Sequence, residues 1–294
     1  MSQDNKRNFI LHGSILAMAG IFVRIIGMVY RIPVLNIIGS EGNGIYGAAF
    51  NIYNIMLVLS SYGLPMAVSK LVSARFTKRR YKSAAKVLRC SLMVAVCTGG
   101  IAALLVFFGA SFIENVIYGG GLPGLAIPLR ILAPTIFLVA ILGVIRGFFQ
   151  GQSTMIPTAV SQILEQIVNA IVSIAAGYGM MKAFASSPDV AAYGAAGSTL
   201  GTAMGALTAV LFMGFLYAVY TPTFNRLKRK DRHTENQSTG QICKIIIYTM
   251  IPIILGQTFY QISALIDDVM FSNIMVGRDI TKSISMDLGN FSSS

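Results

Sequence analysis

Apolar stretches longer than about 20 residues recur seven times along this chain, and each is long enough to cross a bilayer as a helix. The pattern predicts spans at 9–30, 46–69, 90–112, 125–149, 155–181, 193–219 and 244–270. A membrane strand needs only about 9–11 residues, so all seven are read as helices. The fold class that follows is an all-α polytopic membrane protein.

Polar residues break this pattern at particular helical phases. In the first span Arg24 is stranded in Phe9–Tyr30, where the other markedly polar side chains are His12 and Ser14. At 100° per residue, Gly13, Gly20, Arg24, Gly27 and Arg31 fall within roughly 60° of one another. A stripe of glycines packs on protein rather than lipid, and an intramembrane cation faces a cavity, a partner or a substrate unless it snorkels to the interface. Span five carries Thr158, Gln162, Glu165, Gln166, Asn169, Ser173 and Gly177 within roughly 120°. Such a face serves either as interhelical glue or as a wetted path, and Glu165 is a candidate proton or cation site. Span two repeats the theme with Asn51 and Asn54, and span seven with Gln257, Gln261 and Asp268, with Asp267 alongside.

Other features in these helices have plainer readings. Arg130 and Arg146 lie near the expected ends of span four, where snorkelling is easy, and are not assigned to the site. Gly197, Gly201 and Gly205 form a GxxxGxxxG ridge for close helix packing. Pro157 marks the start of span five, and Pro134 lies inside span four as a fixed bend.

Composition agrees with the pattern: 54% of the 294 residues are hydrophobic, 12% are charged, and mean hydropathy is +0.68. The net charge of +12 would suit nucleic acid if it were spread, but it is concentrated between spans. Lys70, Arg75, Lys78, Arg79, Arg80, Lys82, Lys86 and Arg89 form one block with no acid among them, and Arg226, Lys228, Arg229, Lys230 and Arg232 form another. Both fall on one side with Lys6 and Arg7, which predicts a cytoplasmic N terminus and contact with anionic headgroups, not nucleic acid. The apolar run of span one outlasts a signal-peptide core, so it is read as a retained helix. Cys90, Cys97 and Cys243 show no disulfide spacing.

Several chemistries find no pattern here. Neither Gly119-Gly120-Gly121 nor Gly151-Gln152-Ser153-Thr154 belongs to a nucleotide-binding GxxxxGK[ST] motif. His12 and His233 lack metal-ligand spacing, and no nucleophilic triad or paired carboxylate stands out. No enzyme activity, metal or cofactor is expected. Residues 1–220 are expected to form a six-helix lobe, 221–243 a basic cytoplasmic linker, and 244–294 the start of a second lobe, with the chain ending incomplete.

Long motifs add a resemblance. EGNGIY at 41–46, LSSYGLPMAVSKLVS at 59–73 and GFFQGQSTMIPTAVSQILEQIVNAI at 147–171 resemble the oligosaccharide and lipid-linked saccharide flippases, and more narrowly the stage V sporulation protein B branch. That family belongs to the superfamily of peptidoglycan-precursor flippases and multidrug-and-toxin exporters. The resemblance implies a two-lobe bundle of about fourteen helices around a cavity that opens alternately to either side of the bacterial cytoplasmic membrane. It also implies an undecaprenyl-pyrophosphate-linked sugar as cargo, with Arg24 matching the family's first-helix arginine. Arg24, Arg31, Asn51, Asn54, Gln162, Gln166 and Asn169 are the expected substrate contacts, and Glu165, Asp267 and Asp268 the expected ion-coupling residues. Better-known members carry a second-helix arginine that span two lacks, so the particular saccharide stays open. The alternatives are an ion-coupled exporter of organic cations, and a non-transporting scaffold for cell-envelope assembly proteins.

Overall fold

In the computed structural model, residues 3–231 and 238–276 are described, and among them every regular element is helical. The helices are α1 (Gln3–Ser60), α2 (Leu64–Thr77), α3 (Tyr81–Phe112), α4 (Ala126–Gly151), α5 (Ile156–Ala183), α6 (Val190–Lys230) and α7 (Thr239–Val276). A π-helical turn, Ile113–Ile117, follows α3. Each expected span lies within this series, the second being divided between α1 and α2. Pro157 stands in the first turn of α5 and Pro134 inside α4. Helix α6 continues through 221–230, the first part of the expected linker.

Helix α1 is two crossings. The apolar stretch Ser14–Thr77 has 64 residues, about 96 Å of straight helix at 1.5 Å per residue, against a hydrocarbon core of about 30 Å. Gly39 divides it with φ 68° and ψ −179°, a backbone region essentially reserved for glycine. Tyr30 and Tyr46 would be about 24 Å apart along one straight helix, yet both line the same cavity. The chain therefore folds back at Gly39 into two facing arms.

Contacts fix the two ends of the lobe. A Cβ on Gly42 would lie 3.2 Å from the Ala191 carbonyl oxygen, and Asn273 Nδ2 donates to the Ile117 carbonyl at 2.8 Å. The Gly39 bend, the end of α3, the start of α6 and the end of α7 thus share one end. At this end the Glu114 carboxylate accepts from Gly124 N (3.0 Å) and Ala126 N (2.7 Å), satisfying donors at the start of α4. At the other end Lys82 N donates to Asp231 Oδ2 at 2.8 Å, and Cys90 Sγ lies 3.8 Å from the Thr239 carbonyl oxygen. That end gathers the first basic block together with Arg226, Lys228, Arg229 and Lys230 of the second.

Apolar packing fills each end separately. Tyr118, Leu122, Leu125, Leu129 and Ile136 are fully buried with the Gly39 end of α1. Phe148, Met213, Phe224 and Ile246 form the core of the basic end, where Phe148 and Phe224 meet edge to face at 5.3 Å. Lipid is as apolar as these side chains, so close packing holds the helices together. The Gly197, Gly201 and Gly205 ridge packs against α5: a Cβ on Gly201 would lie 2.5 Å from the Asn169 carbonyl oxygen, and one on Gly205 would lie 2.6 Å from that of Glu165. Helix α4 has a second such ridge, Gly143, Gly147 and Gly151, set against Pro65, Ser69 and Val72 of α2. Its four-residue spacing was the available signal in the sequence.

Candidate functional site

Between the two arms of α1 lies a cavity of about 640 Å³, in the size range of small-molecule pockets. Arg24, Gly27, Tyr30 and Arg31 line it from the first arm, and Tyr46, Phe50, Asn51 and Asn54 from the second. The facing follows from the bend: Arg24 and Asn54 are each fifteen residues from Gly39, about 22 Å along a helix, so they meet at one depth. Gly27 leaves room for α5, whose Gln166 Nε2 would be 3.4 Å from a Cβ placed there.

The cations in this cavity are available. Arg24 and Arg31 are both exposed and have no hydrogen-bond or ion-pair partner among the described residues. Around them stand the amides of Asn51 and Asn54, the Tyr30 phenol, and the Tyr46 and Phe50 rings with centroids 4.5 Å apart. Two guanidiniums on a polar and aromatic wall suit an oxyanion attached to a ring-shaped polar body.

The polar face of α5 divides by role. Asn169 and Ser173 are interhelical glue: Ser173 Oγ lies 2.8 Å from the Ser198 carbonyl oxygen and 2.9 Å from Asn169 Oδ1, and Asn169 Nδ2 lies 3.4 Å from the Tyr30 hydroxyl. Asn169 therefore supports a cavity-lining tyrosine. Gln166 sits beside Gly27, one turn lower, and Gln162 is half-buried. Glu165 points to α4, where Arg146 Nη2 donates to Glu165 Oε2 at 2.7 Å and Arg146 Nε to Ser161 Oγ at 2.9 Å. Arg146, set aside as an interfacial snorkeller, is instead one half of the ion pair found among the described residues. Reading each helix alone could not supply that partner.

Asp267 is exposed on α7 and makes no ion pair among the described residues, and the Asp268 side chain lies outside them. The sequence reading passed over Tyr30, Tyr46 and Phe50 as cavity residues. Tyr46 stood inside the EGNGIY run, where the adjoining glycines hinted at a bend.

Long apolar helices around a polar cavity define an all-α membrane fold. The chain superposes with a TM-score of 0.66 on an outward-facing multidrug resistance MATE family transporter of the MOP superfamily, over 94% of this chain and 58% of that one, a likeness of fold at 18% identity. By sequence it belongs to the polysaccharide biosynthesis protein family, whose model matches residues 11–293. It is 35% identical over 182 residues to the lipid II flippase MurJ of Bacillus subtilis (strain 168), covering 60% of this chain and 34% of that protein. It is 30% identical over 210 residues to stage V sporulation protein B of the same organism, covering 71% and 39%. The matched segments thus cover well under half the length of these two relatives.

Proposed function

We propose that this chain forms the first lobe of a flippase that carries the head of a lipid-linked saccharide across the bacterial cytoplasmic membrane by alternating access. The observation that carries this reading is a pair of partnerless arginines lining a cavity between the arms of α1. A diphosphate loses its hydration on entering such a cavity, and guanidinium groups replace it with charge-assisted, bidentate hydrogen bonds. Arg24 and Arg31 hold the diphosphate, Asn51, Asn54, Gln162 and Gln166 contact sugar hydroxyls, and Asn169 keeps Tyr30 in place. The lipid tail stays in the bilayer. The name of one relative, a lipid II flippase, supports a cell-wall or spore-wall precursor as cargo. No bond is made or broken in this scheme, so the reading is of a transporter and not of an enzyme.

Residues 244–294 open a second lobe in this scheme, joined to residues 1–220 through 221–243. The N terminus and both basic blocks face the cytoplasm, as the bias of cations toward that side requires. Glu165 and Asp267 remain the coupling carboxylates to test, with Asp268 beside them. The exporter reading is weakened at Glu165, because a cation binding there must first displace Arg146.

Complementation of flippase-depleted cells tests the proposal. Arg24→Ala at normal membrane abundance should abolish rescue, and Arg24→Lys should restore only part of it, because lysine keeps the charge without the fork. Full rescue by Arg24→Ala would sink the diphosphate role.

A further inference from the structure

We propose a second anion site at the basic end of the lobe, in the cleft between α3, α6 and the start of α7, that binds the phosphodiester headgroup of an anionic membrane lipid. The cleft has a volume of about 490 Å³. Lys82, Lys86 and Arg89 enter it from α3, spaced four and three residues apart and so on one helical face. Lys228 enters from α6, its ammonium 5.2 Å from the centroid of the Phe224 ring. The sequence shows two basic blocks about 140 residues apart; folding merges members of both into one cleft.

Charge and shape together select the ligand. Like charges four apart on a helix repel, and among the described residues no carboxylate lines this cleft to offset them. The carboxylate nearby, Asp231, is buried and accepts the Lys82 backbone N–H, where it serves the start of α3. The cleft is also amphipathic: Cys90 and Met93 continue the α3 face toward the membrane, and Met93 is 59% exposed. Free phosphate would engage the cations and leave that apolar edge unused. A phospholipid engages both, with its diester oxygens on Lys82, Arg89 and Lys228 and its acyl chain along Met93. This site is separate from the arginine cavity of α1 and stands whether or not that cavity carries a saccharide.

The chain contains no tryptophan, so Met93→Trp supplies a background-free reporter. In phosphatidylcholine vesicles, brominated phosphatidylglycerol should quench it at a several-fold lower mole fraction than brominated phosphatidylcholine. Lys82→Gln, Arg89→Gln and Lys228→Gln, added to the reporter, should each weaken that preference about fivefold and together erase it. Lys86 is left in place because it has a further interaction of its own. A tryptophan at Phe108, exposed far from the cleft, should show no preference. Equal quenching by the two lipids at Met93→Trp overturns the site. Relief of the phosphatidylglycerol effect by inorganic phosphate at constant ionic strength overturns the lipid assignment in favour of free phosphate. If the triple variant loses helical circular dichroism, Lys82→Gln alone decides, and an unchanged preference there overturns the proposal.

Discussion

Arg24 and Arg146 are both arginines in apolar helices, and their neighbours give them opposite work. Arg146 spends its charge on Glu165 and Ser161, whereas Arg24 keeps its charge for whatever enters the cavity. Removing one partner of a buried ion pair costs about 3–5 kcal/mol, and the 14% and 27% exposure of these side chains places this pair below that range. Arg146→Ala should therefore lower the melting temperature clearly, and Arg146→Ala with Glu165→Ala should recover part of the loss. A double variant no more stable than the single would refute the pairing. Arg24→Ala, with no partner to orphan, should melt like the parent while failing to transport. Arg24 was legible in the sequence because its isolation is a one-dimensional property. Arg146 was not, since its meaning depends on a carboxylate nineteen residues away on another helix.

Helix α1 is where element and function meet. Its bend at Gly39 creates the cavity by turning one arm onto the other. No side chain crowds that glycine, so the cost of replacing it lies in the backbone alone. Gly39→Ala should destabilise the protein by about 1–3 kcal/mol and impair transport. Gly20→Ala, at a helical glycine that likewise has open space, should be neutral or slightly stabilising. Thermal melts of the two variants in one detergent check the contrast, and equal shifts would count against a special role for the bend. Hydropathy located the helices well because lipid demands long apolar runs. It could not tell that the polar face of α5 holds neighbouring helices at Asn169 and Ser173 and pairs with α4 at Glu165, since all of these residues share one phase.

Across the whole molecule the charge asymmetry becomes a geometric one. The Arg79–Lys82 turn, the end of α6 and the start of α7 meet at one end, and the Gly39 bend and the 118–125 segment at the other. With Cys90, Cys97 and Cys243 replaced by serine, a cysteine at Lys78 should resist an impermeant maleimide in intact spheroplasts, and one at Gly120 should react. The reverse pattern would invert the proposed orientation. The exposed apolar side chains of the first arm, including Phe22, Met28 and Ile32, leave one side of the cavity wall to lipid or to a second lobe.

The sequence by itself determined the helices, their number of crossings, the segregation of cations and the presence of an arginine that needs a reason. These follow from periodicity and from the cost of polar groups in hydrocarbon, which act on each segment separately. Only the tertiary structure decided which charges are free and which are paired, that Tyr46 and Phe50 face Arg24 and Arg31, and that two distant basic blocks share a cleft. Those outcomes depend on distances between segments, and one sharp bend at Gly39 sets the distances around the cavity.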